Sequence, residues 1–427
     1  MSILKKWGAD IMLNKAGERE LAYVVIIDEI TPIKGYDRVE LAHVGGWTIV
    51  VGKGEFKPGD PAIYFEIDSK LPEVEPFTDM DFLAKKKYKI KTQKMCKSLS
   101  QGLLMSAANF GWTIEKHNYG YSIHEPNGAE YNAENESRFL TKKLNVTYAI
   151  AEDNKRKANS VDKYEKMISR HKKLFSHQPF CFLIKHKIGR KFLFVFFGKK
   201  KDKETAFPTK FSFVKKTDQE RVENMPWVLN DKTPFIVTQK CDGSSGTYIL
   251  ERKKGIFGDK YEFYVCSRNV RQLTPDQKSY YDENYYWECA IKYDIENKLK
   301  DYLIKHPDLE YVCWQGEICS PKIQSNPHGL TETHLYCFHM IDSKKGKYDI
   351  READKIWKEY HMEVVPIISE HYIMPDNFEI LKNSADTVYS SAVCEGKCGQ
   401  ACEGFVYYKT NDPNFSFKNV SRKYLLK

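Results

Sequence analysis

Thr238-Gln-Lys-Cys-Asp-Gly-Ser-Ser-Gly-Thr247 lies between two short apolar runs, Pro234-Phe-Ile-Val237 and Tyr248-Ile-Leu250. The pattern predicts two strands joined by a loop, with Lys240 in the loop. A lysine amine there can attack phosphorus and form a phosphoramide. Gly243 would let the backbone approach a nucleotide closely, and Asp242 could hydrogen-bond a ribose or orient the lysine. Alone, Lys240-Cys-Asp-Gly243 fits a surface Asp-Gly turn with a solvated lysine better. Its meaning depends on the residues downstream of it.

Length and composition narrow the classes. A chain of 427 residues supports two or three domains with their own cores. No run approaches the roughly 20 apolar residues of a membrane span. The segment Met1 to Trp7 lacks the apolar core of a signal peptide. The eleven cysteines are odd in number and follow no secreted spacing, which predicts free thiols in a reducing compartment, cytoplasmic or nuclear. A net charge of +9 suits an anionic partner without naming one.

Residues Gly17 to Trp112 read as a small β domain. Ala22 to Ile27, Val39 to Val44, Trp47 to Val51 and Ala62 to Ile67 are predicted strands, with turns at Gly45-Gly46 and Lys57-Pro-Gly-Asp60. Strands at this spacing fit a five-stranded barrel of the OB type. Lys85 to Lys97 adds seven lysines. On a strand, Lys85, Lys87, Lys89 and Lys91 would share one face. Such a row could track phosphates or defend an edge strand.

The predicted division is 1–118 for the OB-type domain, 119–205 for a linker or insertion, and 206–427 for a second domain. The middle stretch carries a polar run, Glu125 to Glu136, and a predicted hairpin from Phe180 to Phe197. The last part alternates strands with a few helices, an α+β pattern. One helix is predicted from Tyr285 to Ile304 and another from Glu352 to Met362. Strands are predicted at Tyr261 to Cys266, Leu309 to Ile318, Leu335 to Ile341, Gly404 to Lys409 and Phe415 to Val420.

Polar groups recur near the ends of these strands: Ser267-Arg268-Asn269, Trp314-Gln-Gly-Glu317, Phe338, Glu403-Gly404 and Lys418. In that order, after Lys240-Cys-Asp-Gly243, they resemble motifs Ia, III, IIIa, IV and V of the covalent nucleotidyltransferases. These are the polynucleotide ligases and mRNA capping enzymes. The segments Gly45-Gly-Trp47, Lys53 to Asp60, Tyr64 to Ser69 and Leu99 to Leu104 look like the OB module of the type 5 RNA ligases. Ser416 to Lys427 looks like that family's C-terminus. DNA ligases and capping enzymes usually continue into a further OB domain, for which no room is expected here. Ser245 stands where DNA ligases usually carry arginine.

The resemblance implies an N-terminal OB barrel followed by an antiparallel-sheet adenylation domain. It implies an ATP-dependent RNA ligase acting in RNA repair as a monomer, with Mg²⁺ or Mn²⁺, on 3′-OH and 5′-phosphate ends of nicked duplex RNA. Lys240 would become lysyl-AMP, while Lys418 would contact the α-phosphate and help lower the Lys240 pKa. Asp242 and Glu317 would bind ribose hydroxyls, Phe338 would stack on adenine, and Arg268 would bind a phosphate. Gln239 and Gly243 would line the nucleotide pocket, and Glu403 would hold the metal. Lys85, Lys87, Lys89 and Lys91 would contact RNA. One departure is Ser416, where motif V is often lysine, so one phosphate ligand is missing or supplied elsewhere. The alternatives are an ATP-dependent DNA ligase and an inactive RNA-binding scaffold. Cys394, Cys398 and Cys402 lack the paired Cys-x-x-Cys spacing and fourth ligand of a structural metal site, so a reduced surface loop is expected.

Overall fold

The computed structural model describes residues 19–117, 120–131, 139–149, 183, 193, 206–255, 258–276, 283–395 and 399–426. The N-terminal unit contains strands β1 (Ala22–Ile26), β2 (Glu29–Pro32), β3 (Val39–Val44), β4 (Trp47–Gly52), β5 (Pro61–Phe65) and β6 (Leu103–Met105). They form two antiparallel sheets, ordered β1-β5-β6 and β2-β3-β4. Trp47, Ile49 and Val51 alternate inward along β4 and meet Tyr23, Val25 and Tyr64 in one core. Ala22, Val24, Ile63 and Phe65 point the other way, into a second core with Leu71, Phe77, Leu83 and Ile90. β1 and β5 are thus buried on both faces, which is why they read as unbroken apolar runs. Ile123, Leu140, Leu144 and Val146 also enter this second core.

The lysine-rich segment is not a strand. Lys85 closes a short helix, α1 (Asp81–Lys85). Lys87 and Tyr88 then turn the chain at φ +53° and +57°. The buried side chains Leu83 and Ile90 anchor the two ends of this turn. Apolar anchoring therefore overrides the alternation that predicted one lysine face. Lys85, Lys87 and Lys91 are exposed, and Lys89 is half-buried and bridges to Lys70. The hairpin expected over 180–197 lies outside the described residues except for Leu183 and Leu193, which are both helical.

The second unit is built on two sheets. The larger runs from Arg271–Gln272 through β8 (Ser244–Lys253) and its neighbours in the order Arg271–Gln272, β9 (Lys260–Ser267), β8, β10 (Tyr311–Cys319), β11 (His334–Asp342), Gly346–Lys347. The smaller is ordered Glu220–Arg221, β14 (Asp412–Val420), β13 (Gly404–Lys409), β7 (Phe235–Lys240), β12 (Ile367–Tyr372). Pairing is antiparallel except where Glu220–Arg221 meets β14 and Glu363–Val364 meets β11.

The helix predicted over 285–304 is two helices, α2 (Tyr285–Lys292) and α3 (Ile295–Lys305). Asp294 sits between them in the left-handed region, which an aspartate tolerates better than most residues. The helix expected at 352–362 is α4 (Ile350–Glu359), which starts earlier because Asp349 caps it through the Arg351 amide at 2.8 Å. These helices and the larger sheet share the main core, around Trp314, Leu299 and Trp357. A fourth helix, α5 (Phe378–Ser384), carries the fully buried Lys382, whose ammonium reaches Glu223 at 2.6 Å, Asn419 at 2.8 Å and the Val420 carbonyl at 2.9 Å.

No helix among the described residues is long and apolar enough to cross a membrane. Free thiols occur at Cys241, Cys266, Cys289, Cys313, Cys319, Cys337 and Cys402. Cys394 departs from the expected reduced loop and is disulfide-bonded. Cys398 lies outside the described residues.

Candidate active site

Lys240 is the last residue of β7 rather than part of an exposed loop, and its side chain is 23% exposed. It pairs in register with Gly404. That register sets Glu403, just before β13, beside the amine, and the Lys240 Nζ to Glu403 Oε2 distance is 2.6 Å. Gly404 is needed where it stands. Its φ is +142°, and a Cβ there would lie 2.1 Å from the Asn419 carbonyl oxygen.

Glu317 reaches the same place from the larger sheet, on β10 opposite Ser245. Burial pushes its carboxyl up to about 8, with Glu403 and Asp242 adding to the rise and Lys240 opposing it. Burial also works against the Lys240 charge, but Glu403 and then Glu317 outweigh it and hold the amine above the usual lysine range. The expectation that Lys418 lowers this pKa is not met, because the strongest charges acting on Lys240 are carboxylates.

Asp242 is buried, and its Oδ2 accepts a hydrogen bond from Tyr424 at 2.8 Å. Tyr424 belongs to the terminal helix α6 (Arg422–Leu425). Gly243 is held tightly by the fold itself, since a Cβ there would meet the Ile318 carbonyl oxygen at 2.3 Å. Gln239 faces away from Lys240, as strand alternation requires. Its amide is spent on the Ser390 N–H at 2.7 Å and the Val388 carbonyl at 3.3 Å, so it braces a loop rather than lining a pocket. Phe338 sits in a β-bulge, skipped where Gln315 pairs with His339 and Gly316 with Cys337. A bulge re-aims its side chain relative to a regular strand.

Arg268 and Lys418 come together through Asp218, a residue that no sequence motif marks. Asp218 accepts from Lys418 Nζ at 2.7 Å through Oδ1 and from Arg268 Nη2 through Oδ2. Burial disfavours the Asp218 charge, yet Lys418, Arg268 and Arg19 hold its carboxyl below the ordinary aspartate range. Arg221 pairs in register with Lys418, placing a cation near the strand where motif V has Ser416. Arg221 Nη2 also reaches Asp68 at 3.1 Å, and its Nε lies 3.8 Å from Glu66. Glu66 also pairs with Arg19. The two units meet further at Asn224, whose Oδ1 accepts from Trp47 Nε1 at 2.6 Å and from Tyr23 at 3.4 Å. No local pattern marks Arg221 either, because both residues act through partners distant in the chain. The four lysines of 85–91 are not brought to Lys240 by any described contact.

No curated protein sequence matches the chain. Residues 21–107 match an OB-fold domain model, and residues 233–425 match the RNA ligase family. Three solved Naegleria gruberi RNA ligase structures are similar over nearly the whole chain. A glutamate-to-alanine variant with ATP and Mn has 25% identity and a TM-score of 0.65, covering 95% of this chain and 98% of that one. The enzyme with PPi has 25% identity and a TM-score of 0.64, covering 96% and 98%. A lysine-to-methionine variant with AMP and Mn has 25% identity and a TM-score of 0.65, covering 95% and 98%. The chain therefore carries an RNA ligase family domain at 233–425 behind an OB-fold domain at 21–107.

Proposed function

We propose that the protein is an ATP-dependent RNA ligase that joins 3′-OH and 5′-phosphate ends, sealing nicks in duplex RNA. The observation that carries this is the Lys240–Glu403 contact at 2.6 Å, with Glu317 acting on the same amine. The carboxylates hold and aim a charged Lys240 in the resting site, and Glu403 can take its proton once the positive charge of a bound metal opposes them.

Lys240 Nζ attacks the α-phosphorus of ATP. A P–N bond forms, the P–O bond to pyrophosphate breaks, and the proton leaves Nζ towards Glu403. The lysyl-AMP then passes its adenylate to an RNA 5′-phosphate, freeing Lys240. An RNA 3′-OH attacks that phosphate, a phosphodiester forms and AMP leaves. Lys418 and Arg268 neutralise phosphate oxygens, and Phe338 offers a stacking face for adenine.

Glu403 and Asp242 both raise the Glu317 pKa, so the site concentrates carboxyl oxygen, the donor type Mg²⁺ and Mn²⁺ take. Among the described residues no group of three metal-type ligands is gathered around one point. The fit is thus to a largely hydrated Mg²⁺ or Mn²⁺ held mainly by Glu403. When bound, such an ion supplies positive charge that favours the neutral amine and the phosphate.

Lys85, Lys87, Lys89 and Lys91 are proposed RNA-backbone contacts, presented on a turn rather than a strand. The test is incubation with α-labelled ATP and Mg²⁺, followed by denaturing electrophoresis and then by addition of a nicked RNA duplex. Label on the protein that chases into sealed RNA is expected. Absence of label removes the ligase reading, and sealing of DNA nicks alone favours the DNA ligase alternative.

A further inference from the structure

We propose that Asp218 is a built-in occupant of the phosphate seat. Its carboxylate holds Arg268 and Lys418 in the resting enzyme and must leave before a phosphate group can bind them. This rests on the reading of those two cations as phosphate ligands.

The geometry is that of a substitute anion. One carboxylate oxygen serves Lys418 and the other serves Arg268, as two non-bridging phosphate oxygens would. The Lys418 side chain is only 10% exposed, and that of Asp218 is 19%. Leaving a cation so far from water without a counter-charge is costly, so the seat is rarely empty. Glu66 and Asp68 are engaged with Arg19 and Arg221, which leaves Asp218 as the carboxylate contacting Arg268 and Lys418.

The chain around Asp218 is built to deliver it. Residues 207–219 form neither helix nor strand. They are tied across the larger sheet where Gln315 Nε2 donates to the Lys215 carbonyl at 2.9 Å and where Thr217 bonds Ser245. Phe213 N donates to the Tyr311 hydroxyl at 3.3 Å. Asp218 lies between the Thr217 anchor and the Glu220–Arg221 strand paired with β14, so its backbone is held on both sides. A change of the Asp218 side-chain rotamer can therefore vacate the seat without moving the strap.

A seat that is mostly filled lowers the apparent affinity of any competitor by the fraction of time it stands open. A phosphate carries more charge than one carboxylate and wins by mass action. Asp218 thus sets how much nucleotide or pyrophosphate is needed to load the site.

The full chain and its Asp218→Asn variant are compared for binding of inorganic pyrophosphate by calorimetry, and for the ATP concentration that half-saturates lysyl-AMP formation. The neutral variant is expected to bind pyrophosphate about three- to tenfold more tightly and to saturate at lower ATP. If that variant does not fold, Asp218→Ser gives the same comparison. Weaker or unchanged pyrophosphate binding in a folded neutral variant overturns the proposal and makes Asp218 a brace that orients the two cations. Failure of the wild-type chain to form lysyl-AMP would count against the ligase reading alone, since pyrophosphate binding still decides the role of Asp218.

Discussion

Arg221 and Lys418 stand opposite each other in the parallel pairing of Glu220–Arg221 with β14. Arg221 is gripped from the other side by Asp68 of the N-terminal unit. A cation of the ligase domain is thus positioned by the OB-fold domain, so the two are not free modules. Removing residues 1–118 would strip Asp68 and Glu66 from Arg221 and Trp47 from Asn224. Lysyl-AMP formation by the remainder is expected to fall by at least about a hundredfold. An unchanged rate would show that the seam is dispensable for ATP chemistry.

Lys240→Ala is expected to abolish the labelled band on a denaturing gel. Because the side chain is half-buried against Glu403, the variant should also unfold at a lower temperature, by a few degrees. A surviving label would place the nucleophile elsewhere.

Lys418→Ala is expected to slow lysyl-AMP formation by on the order of a hundredfold, the usual cost of one donor at a developing charge. Single-turnover rates of both half-reactions check this. If only sealing slows, Lys418 serves the RNA phosphate instead.

The Lys240–Glu403 pair has a definite pH signature. The folded-state pKa of Lys240 lies above that of free lysine. Its stabilisation is therefore complete below the free-lysine value of about 10.4 and is lost as pH rises through the folded value. In the metal-free protein, acylation of Lys240 by an amine-directed reagent should begin at higher pH than for exposed lysines. Glu403→Gln should bring it down, as followed by peptide mass spectrometry across a pH series. No change in that variant would assign the effect to Glu317.

Neutralising Lys85, Lys87, Lys89 and Lys91 together is expected to leave lysyl-AMP formation intact. It should weaken sealing and flatten its salt dependence, by about one logarithmic unit of slope for each phosphate ligand removed. Normal sealing at all salt concentrations would leave these lysines as solvating charge.

Much of the ligase domain was legible because its strands carry strong apolar runs between polar ends. Lys240, Glu317, Glu403 and Lys418 were picked out by the family resemblance, at strand ends that those runs mark. Gln239 could not be placed correctly from its proximity to Lys240, since alternation turns it to the other face. Lys85 to Lys91 looked like a strand because period-two spacing was visible while the anchoring of Leu83 and Ile90 was not. The split at Asp294 was hidden by an apolar spacing that continues across it. Asp218 and Arg221 were illegible in a deeper sense, since their meaning lies entirely in partners remote in the chain, such as Lys418, 200 residues from Asp218.

The place of β7 between β12 and β13 has a consequence for synthesis. The nucleophile leaves the ribosome long before its neighbours do, because Glu403 follows Lys240 by 163 residues. Until β12 emerges the nascent strand has two unpaired edges, and until β13 follows it keeps one, with an amine that lacks its counter-ion. Chains interrupted before residue 400 would carry the reactive lysine with neither Glu403 nor Lys418. Such fragments would be inert towards ATP and, through their open strand edges, prone to aggregate.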